Sequence, residues 1–504
     1  GSFPLLPSAW PCHSVWVRRF AAGFMVPRSQ RQAAREKSAR SARQMSPSEL
    51  STAVRIASQG PRKQDMRIWR DYAEATLFHA GALQPNQMAF IVNGFARAEV
   101  PDREVFQRMS EQAIHCAKDF EPRDTALFLN AFAKLQFRDL ALFKTFSKTV
   151  RRASHSGFGE QQLALIANAY AKLEIADGPL FQKLSGWTVQ KIVELTPQGT
   201  AAVANAWAKV AFRDEELFSA LGDAVGRNLP NFKAQHVANL LNAYAKLELR
   251  DEHVLGQLAR QIPTRARELV AIELSQSLHA FVKLGLVSEH RKSLICLAEA
   301  VQERASEFQS RQLAVTMHAF SMLSTSHGRL FQELAPQVLA TMSMADDQSA
   351  AMLFCAYARA GQVHEEVLRR LMDKLHDAVP NSEQHTQVQL FYACGRLGLH
   401  KELLSQNLAA CIRAHVPKLS SQHISNCLLT LSRVSLCCQE FADLLSALQA
   451  RLLRRDVDFE LQQLANALHA LAGIHGEGAA IQQFPTPLPG AVVQSLVDKV
   501  DKVE

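Results

Sequence analysis

The sequence predicts an all-α fold, an α-solenoid of about 11–12 helical hairpins with a 37–38 residue period. Three observations predict it. One short motif recurs at constant spacing, the apolar residues around it fall three and four apart, and an aspartate follows it at a fixed distance.

The motif is plainest in VNGFARA (92–98), LNAFAKL (129–135), ANAYAKL (167–173), ANAWAKV (204–210) and LNAYAKL (241–247). Taking its Asn as an anchor, the series runs Asn93, Asn130, Asn168, Asn205, Asn242, His279, His318, Cys355, Tyr392, Leu429 and His469, nearly every step being 37 or 38 residues. A weaker copy around Arg55 lies 38 residues before Asn93 and is expected to cap the array. Around each anchor, positions −5, −2, +2 and +5 are mostly apolar, as in Leu163, Ile166, Tyr170 and Leu173, which makes one face of a helix, here helix A. The residue after the anchor is small (Gly94, Ala131, Ala169), so neighbouring helices can approach closely.

Nine residues past the first five anchors stand Asp102, Asp139, Asp177, Asp214 and Asp251, each followed shortly by an apolar pair such as Leu142 and Phe143. An Asp before an apolar run is the expected N-cap of a second helix, helix B, because its carboxylate accepts the unpaired first-turn N–H groups. A hairpin of two such helices cannot bury its apolar faces alone. Stacked neighbours can, and that is the physics of a solenoid.

Opposite the apolar stripe of helix A, positions −7, 0 and +4 share a face. Position −7 is rich in amides, including Gln161, Gln198 and Gln235, and the anchors Asn130, Asn168, Asn205 and Asn242 follow. Position +4 is basic in nine of eleven copies: Arg97, Lys134, Lys172, Lys209, Lys246, Lys283, Arg359, Arg396 and Arg433. One cation per repeat suits a polyanion, and amides beside it suit exposed base edges, so these residues are the candidate RNA-binding set. Two plainer readings stand beside it. A Lys near the end of a helix also favours the helix dipole while staying solvated, and the Asn anchors equally suit a buried ladder of hydrogen bonds between repeats. The aromatic at +2 lies on the apolar stripe and is expected in the core.

The formal charge of +8 belongs mostly to residues 1–45, where eight Lys and Arg, among them Arg18, Arg19, Arg28 and Arg31, face the single acid Glu36. These residues are rich in Arg, Ser and Ala and have the composition of a mitochondrial transit peptide, or of an extension that lies on RNA. The organisation expected is thus a basic extension (1–45), the array (46–475), and a linker with a short C-terminal helix (476–504). No apolar run approaches the length of a membrane span. Nine cysteines follow no metal-ligand or disulfide spacing, and a reducing compartment is expected.

NAFAKL and NAYAKL followed by a capping Asp resemble the repeats of octotricopeptide proteins and, by the 37-residue period, heptatricopeptide proteins, helical-repeat classes of algal and apicomplexan organelles. The resemblance covers residues 46–475 and implies organellar RNA binding, in RNA maturation and stability or as structural subunits of mitochondrial ribosomes. Many such proteins end in a RAP domain, and the stretch after His475 is too short to supply one. His364-Glu365-Glu366 lacks the second His of a zinc helix, and no phosphate-binding Gly-rich loop or nucleophile elbow is present. The expectation is a non-catalytic protein without cofactor or small-molecule substrate. Its partners are RNA, ribosomal RNA foremost, and other ribonucleoprotein subunits, and its site of action is the mitochondrial matrix. A free maturation factor and a protein-binding scaffold are the alternatives.

Overall fold

The computed structural model describes residues 42–323, 328–399, 401–434, 438–452 and 459–475. Arg18, Arg19, Arg28 and Arg31, and the expected helix at 491–503, lie outside the described residues. The described chain is all-helical, has no strand, and forms two compact units that meet in sequence at 265/266.

In the first unit, helices of type A are α1 (Pro47–Ala57), α3 (Pro85–Ala98), α5 (Pro122–Lys134), α7 (Glu160–Lys172), α9 (Pro197–Lys209) and α11 (Ala234–Leu247). Between them run the B helices α2 (Met66–His79), α4 (Arg103–His115), α6 (Leu140–Arg152), α8 (Gly178–Gln190), α10 (Glu215–Asn228) and α12 (Glu252–Arg265). In the second unit the A helices are α13 (Ala271–Lys283), α15 (Ser310–Ser321), α17 (Asp347–Ala360), α19 (Gln384–Leu397), α21 (Ser421–Arg433) and α23 (Leu461–His475). Its B helices are α14 (Arg291–Glu303), α16 (Gly328–Thr341), α18 (Glu365–Ala378), α20 (Leu403–His415) and α22 (Gln439–Leu452). Within each unit A packs on A and B on B, which is the predicted solenoid.

The A layer is close-packed because the residue after each anchor is small. Ala131, Ala169, Ala206 and Ala243 are fully buried, and a Cβ placed on Gly94 would stand 2.3 Å from Val54 Cγ1. The five aspartates cap their B helices as the spacing predicts. Asp102, Asp177, Asp214 and Asp251 accept from the N–H three residues on, at 3.0–3.1 Å. Asp139 accepts from Ala141 and Leu142 and also from the Ser110 hydroxyl, which ties α6 to α4.

The aromatics two residues past the anchor, from Phe95 through Phe132, Tyr170, Trp207 and Tyr244 to Tyr357, are at most 1% exposed, so they are core. Six of them pack edge-on against an aromatic from the preceding B helix. The pairs are Trp69–Phe95, Phe106–Phe132, Phe143–Tyr170, Phe181–Trp207 and Phe218–Tyr244 in the first unit and Phe331–Tyr357 in the second, with centroids 4.8–5.2 Å apart. Edge-on pairs of this kind add about 0.5–1.5 kcal/mol beyond area burial. The polar ends are also satisfied: Tyr170 and Tyr244 donate to the carbonyls of Phe143 and Phe218 at 2.6 and 2.9 Å, and Trp207 Nε1 to Ser185 Oγ at 3.0 Å.

Two recurring features go beyond the sequence reading. Nearly every B helix ends in a 3₁₀ turn, and the residue ten before the next anchor plugs the core behind it, as do Phe120, Phe158, Phe232, Leu269 and Phe308. Six residues past the anchor the chain turns left-handed. Glu99, Gln136, Glu174, Ala211 and Glu248 hold φ of 54° to 63° in the first unit, and Gly285, Gly361 and Gly398 take that place in the second. The described structure includes the last residues of the expected extension: Ala42 and Met45 are buried, and Arg43 pairs with Glu74 at 2.7 Å.

Candidate nucleic-acid interface

The cation positions fall at the C-terminal ends of the A helices, where the close packing of that layer sets them side by side. In the first unit Arg97, Lys134, Lys172, Lys209 and Lys246 are all half-buried rather than fully solvated. Lys134, 16% exposed, reaches Glu99 Oε1 at 3.8 Å, and Lys63 reaches the same oxygen at 3.9 Å. Lys172 Nζ donates to the main-chain carbonyl of Lys134 at 3.5 Å, so one repeat's cation caps the helix end of the repeat before.

Burial, foremost, pulls the Lys134 ammonium below the ordinary lysine range. Glu99 opposes it, while Lys63, Lys172 and Arg97 press the same way. Burial likewise lowers Arg97. The cations are thus close enough to repel one another, and a polyanion laid across them relieves both costs.

The amides sit at the other end of the same face. Gln161 is exposed, and Gln198 and Gln235 are half-buried. They are distinct from the residues at −6, which fold back to cap helix A: Gly159 N–H donates to Gln162 Oε1 at 3.0 Å, and Gln309 N–H to Gln312 Oε1 at 2.8 Å. Asn130, Asn168 and Asn205 are half-buried, and among the described residues no hydrogen bond links one anchor Asn to the next, so the interrepeat ladder is not formed. Asn242 is buried, with 4% exposed, and an RNA contact expected of it is withdrawn because its amide is shielded.

Sequence reasoning missed one cluster on this face. The Phe90 ring carries the Arg55 guanidinium at 5.1 Å and that of Arg123 at 5.8 Å, so three consecutive A helices contribute an Arg–Phe–Arg stack. Its signal was available in register terms, since Arg55 holds the anchor position, Phe90 position −3 and Arg123 position −7.

In the second unit the cations are used differently. Lys283 and Arg359 are half-buried, and Arg396 and Arg433 are exposed. Arg359 turns onto its neighbours, with Nη1 3.2 Å from His318 Nε2 and 2.7 Å from Met322 Sδ. Arg396 donates to the Arg359 carbonyl at 3.3 Å, and Arg433 lies over the Tyr392 ring at 5.2 Å. Burial, then Arg359 and His279, push His318 down to about 3, so its imidazole is neutral and accepts from Arg359.

Among the described residues there is no group of three or more metal-ligating side chains, and no helix is long and apolar enough to cross a membrane. Cys355, Cys394 and Cys427 are free thiols buried between A helices.

No curated protein matches this sequence. One solved-structure chain, described as "Homology model of the full-length AP-3 complex in an intermediate open conformation", is 10% identical across 94% of this chain and 89% of that one. Its TM-score of 0.32 is too low to support any structural argument. The profile of the family described as RNA-editing substrate-binding complex 6 protein matches residues 55–157 and 154–440, which takes in most of the array. The chain belongs to the RNA-editing substrate-binding complex 6 protein family.

Proposed function

We propose that this protein is a non-catalytic RNA-holding subunit of a mitochondrial ribonucleoprotein, and that it grips RNA along the A face of its first unit. The observation that carries the reading is the row of half-buried cations at Arg97, Lys134, Lys172, Lys209 and Lys246, in which Arg97 and Lys172 press on Lys134. Gln161, Gln198, Gln235 and the anchors Asn130, Asn168 and Asn205 lie beside it and supply amide donors and acceptors for base edges. Lys283, Arg359, Arg396 and Arg433 extend the set as weaker phosphate contacts.

The family's description names an RNA-editing substrate-binding complex, which favours an RNA-processing assembly over the ribosome as the setting. A structural place in the mitochondrial ribosome, on ribosomal RNA, is the second reading, favoured by the repeat resemblance and by the basic residues 1–45. Sedimentation separates the two, since a ribosomal subunit travels with ribosomal particles and a processing subunit with lighter complexes.

Charge reversal at Lys134, Lys172, Lys209 and Lys246 tests the RNA face directly. Affinity for RNA is expected to fall at least about tenfold and the salt dependence to become shallower, because a cation that no longer neutralises a phosphate no longer releases counterions. Unchanged affinity and slope would leave a protein-binding scaffold as the better account.

A further inference from the structure

The second helix of the third full repeat, α6, carries Lys144, Lys148, Arg151 and Arg152, all exposed, and no acid within its length. Their spacing of four, seven and eight places them on one stripe. Opposite it are the buried Leu142, Phe143, Phe146 and Val150, which pack toward the A layer. The cation stripe therefore faces away from the A face already described.

Like charges at this spacing weaken a helix, and elsewhere the B helices offset them. Arg108 pairs with Glu111, and Arg369 and Arg370 pair with Glu366. On α6 none of the four cations has an ion-pair partner among the described residues. The acid that begins the helix, Asp139, is already engaged by its cap and by Ser110. Arg151 and Arg152 stand in the last turn, where they suit the helix dipole, but Lys144 and Lys148 stand in the middle and have no such reason. Of the two neighbouring B helices, α8 adds exposed Lys183, which lies over the Trp187 ring, and no acid, while α4 carries Glu104 and Glu111, the latter paired with Arg108. Residues 134–191 hold nine Lys and Arg against four Asp and Glu, a net +5 in a chain whose total is +8.

We infer that this stripe is a second, sequence-independent RNA-backbone site on the B layer, formed by Lys144, Lys148, Arg151 and Arg152 with Lys183 beside them. A protein partner would need an apolar centre to anchor on, and the large apolar side chain exposed on α6 is Leu140 alone, at its first residue. Clustered cations without apolar neighbours fit phosphates, whose binding is driven by release of counterions. The inference rests on RNA being the ligand, but not on the A face being where it is held.

The test uses the full chain and a labelled oligouridylate, with anisotropy recorded over a range of salt. The variant Lys144→Gln, Lys148→Gln, Arg151→Gln, Arg152→Gln is expected to bind about tenfold more weakly, with its salt slope shallower by about 3. Circular dichroism is expected to show the fold intact, since repulsion is being removed. Lys144→Arg with Lys148→Arg keeps the charge and is expected to bind as the parent does. Wild-type affinity and slope in the Gln variant overturn the site while leaving the A-face reading to its own variant. Polyglutamate binding that the Gln variant loses while its RNA affinity and salt slope stay those of the wild type would overturn it in favour of an acidic protein partner.

Discussion

The two units use one repeat in two ways. In the first, the five copies after the Arg55 copy each hold an Asn anchor, an Asp-capped helix B and a side chain at the left-handed turn after helix A. In the second, the anchors become His279, His318, Cys355, Tyr392 and Leu429, and glycine takes the left-handed position at Gly285, Gly361 and Gly398. The caps of helix B also loosen there: His364 accepts from Val367 N–H at 3.4 Å, and neither His290 nor Glu402 makes a side-chain cap bond. A left-handed non-glycine residue costs about 1 kcal/mol or more, so the first unit accepts strain five times. What it keeps is polar chemistry at the edge of the cation row, as at Glu99, which holds Lys63 and Lys134 together. The second unit turns Arg359 onto His318 and Met322, exposes Arg396 and Arg433, and relaxes its turns. The proposed RNA contact is therefore sought first in the first unit, and stability chemistry in both.

The largest effect expected is in the aromatic pairs. Trp207→Ala removes a fully buried ring, its edge-on contact with Phe181 and the partner of Ser185 Oγ. It is expected to cost about 3–5 kcal/mol, read as a drop in hydrogen-exchange protection spreading through residues 42–265. Phe320→Ala, in the second unit, should leave that stretch unaffected if the units respond independently.

Acid should affect the units unequally, with an effect of intermediate size. A histidine held neutral by burial contributes stability that is present above its unfolded pKa near ~6.5 and is lost as the pH falls toward its folded value. The second unit has three such groups, His318 near 3 and the lowered His385 and His423, against His236 near 4 in the first. Between pH 7 and pH 5, His318 alone accounts for up to about 2 kcal/mol. Residues 266–475 are expected to lose exchange protection first, and the reverse order would break the comparison.

The smallest effect concerns the turns. Glu174→Gly is expected to stabilise by about 0.5–1 kcal/mol, and Gly361→Ala to destabilise by about 1 kcal/mol. Denaturant unfolding measures both. A stabilised Glu174→Gly that still binds RNA normally would show that the side chain at that turn is not kept for RNA contact.

Much of this was legible in sequence because it depends on spacing within one helix. The anchor period, the apolar stripe, the buried aromatic at +2 and the five Asp caps all follow from positions along a single element. Features that arise between repeats were not. The ring that meets Tyr170 comes from Phe143, on the helix before, and nothing local marks the pair. The contact of Lys172 with the Lys134 carbonyl, the inward turn of Arg359 and the burial of Asn242 depend likewise on how near the next helix stands. Left-handed turns went unread because Glu, Gln and Ala, not glycine, occupy them in the clearest copies.

The aromatic pairs join the B helix of one repeat to the A helix of the next. The unit that repeats in the gene, from one NAFAKL to another, is therefore out of phase by half a period with the unit that holds itself together. Fragments cut between an A helix and its own B helix keep every pair intact, whereas fragments cut after a B helix strand half of one. Within the first unit, duplication or loss of whole repeats preserves the pairing wherever the breakpoints fall, since the joint closes a pair of the same kind. An array built this way can lengthen or shorten its footprint in steps of one period without redesigning a core.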